Sequence, residues 1–309
     1  METVLLDGKE AARNVRASVK AEVLALKGKG HPAPKLCVII VGEDPASQTY
    51  VANKEKACGW TGISSEIVRM SAETTQEELL AKIRELNEDP SVNGLLVQLP
   101  LPEGLDEQAV TFAIDPAKDV DGFHPVNVGK GWIGDPHAMK SCTPSGIIEL
   151  LKQNGVELCG AHAVIAGRSN IVGKPMAELL LRENATVTVC HSRTRNLKEL
   201  VRTADLFVAA IGRPRFFDGS YLKEGACVVD VGIHHTEEGL CGDVDTESCM
   251  GIASAITPVP GGVGLVTSAV LMSHVVTAAE SAIYRRERFF RFLFFCYLFL
   301  CSLIPVLLF

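Results

Sequence analysis

Apolar residues in the first half of the chain fall into two alternating patterns. Residues 9–26 place Val15, Val19, Val23 and Leu26 at helical spacing, with Gly28 and Gly30 beyond them, and read as an amphipathic helix. Residues 35–42, KLCVIIVG, are almost continuously apolar and read as a strand buried on both faces. The stretch 44–62, DPASQTYVANKEKACGWTG, predicts a helix capped by Ser47, running to about Ala57, with Gly59 and Gly62 where it should stop. SSEIVRM (Ser64–Met70) alternates like a strand, and residues 74–89 form a well-marked helix with Thr75 and Glu78 at capping-box spacing. VNGLLVQLPLP (92–102) is a buried strand ending in a turn. Strand and helix alternate, which predicts an α/β unit with a mostly parallel sheet.

The second half repeats the plan. Residues 141–155 open a helix, with Pro144 suited to its first turn. Residues 161–184 give strand, glycine-containing turn and helix. Further strands follow at 186–190, 206–212 and 226–233, each apolar and each followed by a turn. Residues 256–267, ITPVPGGVGLVT, read as a narrow loop with exposed backbone, and 268–285 as a closing helix.

The first chemistry lies on the 44–62 helix. Tyr50 and Lys54 are four apart, so they share a face at the end of a buried strand, where α/β proteins place their sites. A partly desolvated lysine is pushed towards the neutral amine and can serve as a base. The pair alone is better read as a solvated surface lysine and a half-buried core tyrosine, and the rest of the chain changes that balance. Gln98 is polar inside an apolar run and needs partners there, either a loop backbone or Lys54. In DPAKDVDGFHPVN (115–127), Asp119 and Asp121 are too few and too irregular for a metal loop. Holding an N–H-rich heterocycle through two hydrogen bonds suits Asp121 better.

The turn GRSNIVG (167–173) lacks the GxGxxG fingerprint, because serine replaces the middle glycine and the spacing is longer. Its place between strand and helix still suits a phosphate facing backbone N–H groups. At the end of the next strand, HSRTR (191–195) carries Ser192, Arg193 and Arg195 where an NAD-binding fold places an acid for the ribose hydroxyl. That set suits a 2′-phosphate, hence NADP, although an exposed basic loop is the plain alternative.

Length and charge narrow the classes. With 309 residues the chain exceeds one ordinary core, so two domains are expected. A net charge of −7 with no basic patch before residue 285 argues against nucleic acid as a partner. The ten cysteines include no CxxC pair, and several sit in apolar runs, as reduced intracellular thiols do. The N-terminus lacks a signal or transit pattern.

Together the segments DPASQTYVANKEKACGWTGI, NGLLVQLPLP, KDVDGFHPVN, CTPSG, GRSNIVGKP, VVDVGI, GDVD and TPVPGGVG resemble the bifunctional methylenetetrahydrofolate dehydrogenase/methenyltetrahydrofolate cyclohydrolase family, in family order over roughly residues 3–285. The resemblance implies two α/β domains flanking a cleft, the second a Rossmann-like doubly wound parallel sheet. It implies a folate-binding catalytic domain at 1–143, an NADP-binding domain at 144–265, and a helix at 266–288 returning to the first domain. It also implies oxidation of 5,10-methylenetetrahydrofolate with NADP and hydrolysis of the methenyl product to 10-formyltetrahydrofolate, in a cytoplasmic homodimer without a metal. Lys54 would be the catalytic amine, Tyr50 its neighbour stacking on the folate, Gln98 the partner favouring a neutral Lys54, and Asp121 the holder of the pterin. Val97, Gln98, Leu99 and the loop Pro260, Gly261, Gly262, Val263 and Gly264 would line the folate pocket. Gly167, Arg168, Ser169, Ser192, Arg193 and Ile233 would contact NADP. The chain departs from the family's usual residues at Leu265, where proline is usual, and at Ser141 and Ser145, where proline and a basic residue are usual. Other NADP dehydrogenases of similar plan lack this combination.

Residues 289–309 hold one charge, Arg291, behind a basic cluster, and are long enough to span a bilayer. An anchor, a mis-set gene boundary and a packing helix are all open readings. With an anchor, the alternative function is a membrane-tethered, catalytically weak folate- and NADP-binding protein.

Overall fold

The computed structural model describes residues 2–237 and 239–303, the side chains of 289–303 excepted. In chain order the elements are β1 (Val4–Leu5), α1 (Gly8–Gly28), β2 (Lys35–Val41), α2 (Pro45–Thr61), β3 (Ser64–Met70), α3 (Gln76–Glu88), β4 (Gly94–Val97), α4 (Glu107–Ala113), α5 (Pro125–Trp132), α6 (Cys142–Gln153) and β5 (His162–Ala166). They continue with α7 (Gly173–Arg182), β6 (Thr186–Cys190), α8 (Leu197–Val201), β7 (Leu206–Ala209), β8 (Cys227–Asp230), β9 (His234–Thr236), β10 (Gly239–Cys241), α9 (Thr246–Cys249), β11 (Ala255–Ile256) and α10 (Val263–Leu303).

Two parallel sheets organise the chain. The first has three strands in the order β3-β2-β4, and the second six in the order β1-β11-β8-β7-β5-β6. β1 is the first strand in sequence, yet it pairs with β11 at the edge of the second sheet. The reversal of direction between β5-β6 and β5-β7 is the switch point where doubly wound sheets bind ligands.

Two long helices join the sheets, and each divides its apolar stripe between two cores. Ala11 and Ala12 of α1 are buried with the second-sheet residues Ile165, Val208 and Val229, whereas Val19, Val23 and Leu26 are buried with Leu36, Val38 and Ile40 of the first. α10 does the same, with Val266 and Val270 in one cluster and Met272, Val275 and Val276 in the other. Burying each of these valines, Leu26 and Met272 stabilises by about 1.5–3 kcal/mol and each alanine methyl by about 0.8 kcal/mol, so both ends of each bridge are anchored. Residues 263–288 have the length and hydropathy to cross a membrane, but over half of the most apolar window is buried inside the protein, as in a core helix. The reading of 289–309 as a membrane segment rests on side chains outside the described residues.

The structure corrects several sequence expectations. α2 is capped by Asp44, whose carboxylate accepts from Ser47 N at 2.7 Å, with Pro45 in the first turn. Ser47 is buried inside the helix instead. Gly59 is helical, and the stop comes at Gly62, whose φ of 79° needs glycine. β4 ends at Val97, and α10 starts five residues before the expected 268, so the last five residues of the 256–267 stretch are helical. The capping box of Thr75 and Glu78 forms as expected.

Candidate active site

α2 leaves the end of β2, and β4 lies beside β2, so their carboxyl ends bring Lys54 and Gln98 together. Lys54 Nζ donates to Gln98 Oε1 at 2.6 Å, and Gln98 Nε2 donates to the Leu99 carbonyl at 2.6 Å. The Gln98 backbone N–H still bonds Ile39 O at 2.8 Å, so the sheet fixes the amide's origin. Burial pushes the Lys54 pKa below the usual lysine value, and the charges of Asp121 and Cys142 oppose it only in part. The push towards a neutral amine thus comes from desolvation. The amide oxygen is an uncharged acceptor and permits that form, which a carboxylate would not. Tyr50, one turn earlier, is 48% exposed, leaving its ring open to a flat ligand.

Asp121 stands on the loop between α4 and α5, which Asp119 builds. The Asp119 carboxylate is 2% exposed and accepts from the backbone N–H groups of Gly122, Phe123 and His124 at 3.1, 3.3 and 2.9 Å, and from Asn127 Nδ2 at 2.9 Å. Gly122 has φ 74°, and a Cβ there would collide with the Lys140 carbonyl. Burial raises the Asp121 pKa, against the charge of Lys54. Behind it, Cys142 Sγ bonds the Val120 carbonyl at 3.2 Å and meets His274 Nδ1 at 3.3 Å, while His274 Nδ1 donates to the same carbonyl at 2.9 Å. Val97, Leu99, Asp121 and Phe123 line one small cavity. Sequence reasoning missed Asp119, Cys142, His274 and Phe123. Asp119 could have been found by asking what satisfies the N–H groups of a tight loop. The other three are joined by contacts distant in sequence.

On the opposite side, Gly8 N bonds the Gly261 carbonyl at 2.9 Å, and a Cβ on Gly8 would strike Gly262 O. This holds the 260–264 segment against the start of α1. Val263 is buried in the core that includes Leu6 and Ala12, so from Gly261 to Gly264 mostly backbone remains for the cleft. Ile233 is 48% exposed, and its Cδ1 lies 3.7 Å from where a Cβ on Gly264 would be. The expected cofactor and folate segments therefore meet at this point.

The dinucleotide side rests on two buried acids. Asp243, 0% exposed, accepts from Ile211, Gly212 and Arg213 backbone N–H groups at 2.6, 3.0 and 2.8 Å and faces His234 Nε2 at 2.8 Å. Asp230 accepts from Gly232, Asp243 and Val244 N–H groups at 2.9 Å each. Burial raises its pKa to about 6, against those three bonds. The 167–173 turn is tight: Gly167 has φ 132°, and a Cβ there would collide with the Ala210 carbonyl. Ser169 Oγ accepts from Val172 and Gly173 N–H groups at 3.1 and 3.3 Å, so those two donors are already used. Arg168, Ser192, Arg193 and Arg195 are exposed, and among the described residues their side chains make no hydrogen bond or ion pair. Unpaired guanidinium groups and a hydroxyl at a strand end, beside a glycine cradle, fit a phosphorylated dinucleotide.

Residues 6–121 match the family described as "Tetrahydrofolate dehydrogenase/cyclohydrolase, catalytic domain", and residues 141–283 its "NAD(P)-binding domain". The chain is 52% identical over 280 residues to the bifunctional protein FolD of Halalkalibacterium halodurans, covering 91% of this chain and 100% of that one. The structure of the FolD methylenetetrahydrofolate dehydrogenase/cyclohydrolase from Campylobacter jejuni superposes with a TM-score of 0.88 at 46% identity, over 90% of this chain and 99% of the other. The Trypanosoma brucei N5,N10-methylenetetrahydrofolate dehydrogenase-cyclohydrolase, complexed with NADP cofactor and inhibitor, gives 0.86 at 39% identity, over 92% and 99%.

Proposed function

We propose residue roles from one premise: the chain belongs to the tetrahydrofolate dehydrogenase/cyclohydrolase family. It oxidises 5,10-methylenetetrahydrofolate to 5,10-methenyltetrahydrofolate with NADP and hydrolyses the product to 10-formyltetrahydrofolate. The observation that carries the assignment of roles is the Lys54–Gln98 bond in a desolvated setting.

In this reading Asp121 holds the pterin edge, Tyr50 stacks on the ring system, and Val97, Leu99 and the 260–264 backbone enclose it. Gly167, Arg168, Ser169, Ser192, Arg193 and Ile233 hold NADP, with the cations of the 192–195 loop on the 2′-phosphate. NADP⁺ bound there supplies the hydride acceptor for the bridging carbon. For hydrolysis, water adds to the methenyl carbon and gives a proton to the neutral Lys54 amine. As the carbon–N5 bond breaks, its electron pair and that proton go to N5, and the remaining hydroxyl releases its proton to solvent as the formyl C=O forms. A positioned base contributes typically about 10²–10⁴-fold.

We assign the folate-binding catalytic part to 1–143, the NADP-binding part to 144–265, and the return helix to 266–288. A homodimer through the dinucleotide-binding parts is supported by β6, one of the two edge strands of the larger sheet. The cytoplasm, where NADP and reduced folates are available to a chain of free thiols, is the proposed location.

The test is an absorbance assay of 5,10-methylenetetrahydrofolate with NADP⁺ or NAD⁺ in parallel. Faster turnover with NADP⁺, followed by decay of the methenyl signal above the buffer rate, is expected. Equal rates with the two cofactors would overturn the roles given to Ser192 and Arg193.

A further inference from the structure

A cavity of about 560 Å³ lies away from the catalytic cleft. It lies between α1, α6, α7 and α10, where Ser18, Lys140, Ser145, Arg182 and His274 are among its lining residues. It exceeds a single water's share of about 30 Å³ many times over and falls in the size range of small-molecule sites, about 300–1,000 Å³.

Most charged side chains around it already have hydrogen-bond partners. Lys152 bonds Glu183 at 2.7 Å, and Glu149 accepts from Gln153 at 2.6 Å. Arg182 uses Nη1 on the Gly131 carbonyl and Glu178, at 3.4 and 3.5 Å. Two donors are left over. Among the described residues Lys140 Nζ, half-buried, has no hydrogen bond or ion pair, and the buried Ser145 Oγ has no partner. Burial and the nearby Arg182 and Lys152 charges disfavour the Lys140 cation, more than Glu178 and Glu183 support it. An anion would supply what both donors lack.

We propose that this cavity binds a phosphate group, free or carried on a small ester, through Lys140, Ser145 and Arg182. A phosphate offers enough acceptors for three divergent donors, whereas a carboxylate offers two oxygens. Its place gives it access to both functional walls. The Lys140 carbonyl covers Gly122, beside Asp121, and the next residue, Ser141, donates to the Ile171 carbonyl of the dinucleotide turn at 2.9 Å.

The test is calorimetric titration of the full-length chain, saturated with NADP⁺ so that the 192–195 loop is not a competing phosphate site. Inorganic phosphate and glycerol phosphate are titrated separately at constant ionic strength. Saturable binding of either, with a Kd of about 1 mM or below, is expected. Lys140→Met should weaken it about tenfold or more and Lys140→Arg should retain it. The stronger of the two probes identifies the source, free phosphate or ester. Absence of saturable binding of both, or equal binding by Lys140→Met, would overturn the site.

Discussion

The two walls of the cleft solve different problems with opposite wiring. On the folate side, polar side chains are satisfied by one another and by nearby backbone: Lys54 by Gln98, Gln98 by Leu99, and the Asp121 loop by Asp119. On the dinucleotide side, the buried acids Asp230 and Asp243 hold mainly backbone, with His234 as the one side chain on Asp243, while among the described residues the cations at the rim are left without protein partners. In the roles proposed above, a base must be held in place and kept neutral before substrate arrives, so its bonds are internal. A phosphate site must keep its donors available, so its rigidity comes from beneath.

This contrast can be broken most forcefully at Lys54. Lys54→Met should lower cyclohydrolase kcat/KM by about 10²–10⁴-fold. NADP⁺ affinity, measured by fluorescence titration, should stay within about twofold, because Lys54 bonds Gln98 on the other wall and a neutral amine carries no charge to lose.

Removing Asp243 strikes the scaffold instead of the chemistry. Asp243→Ala leaves three backbone N–H groups and His234 without their acceptor in a buried setting, at a cost of about 3–5 kcal/mol. Thermal unfolding should show a fall in Tm of many degrees, with loss of NADP⁺ binding below it. An unchanged Tm would mean that the rim keeps its shape without the acid.

The smallest expected effect sharpens the comparison, since Ser141 ties the two walls together. It is 3% exposed and its hydroxyl holds the Ile171 carbonyl. Ser141→Ala removes about 1 kcal/mol of hydrogen bonding, which should raise the KM for NADP⁺ by about fivefold. Cyclohydrolase kcat/KM, which needs no hydride acceptor, should not move, and Ser141→Thr should restore the dehydrogenase value.

How much of this could be read from the sequence follows the same division. Lys54 and Tyr50 were legible because four residues on a helix make one face, and Gln98 because a lone amide in an apolar run demands a partner. Asp119 escaped because it bonds backbone, and no side-chain pattern marks such a hub. Cys142 and His274 meet across 132 positions, which no local periodicity records. The Asp44 cap was hidden by Ser47, an equally good cap residue that lay three positions too late. The double allegiance of α1 and α10 was also illegible, because one continuous stripe serves two cores.

The central claim is that desolvation keeps Lys54 a usable base and that the neutral amide of Gln98 allows it. The direct measurement is the pH profile of cyclohydrolase kcat/KM for the parent chain and for Gln98→Glu. Lys54 with its depressed pKa gains its proton, and loses activity, as pH falls through that value. A carboxylate in place of the Gln98 amide favours the ammonium, so the acid limb should move to higher pH by about 1–3 units. An acid limb that stays where it is in Gln98→Glu would contradict the claim and remove Lys54 from the role of base.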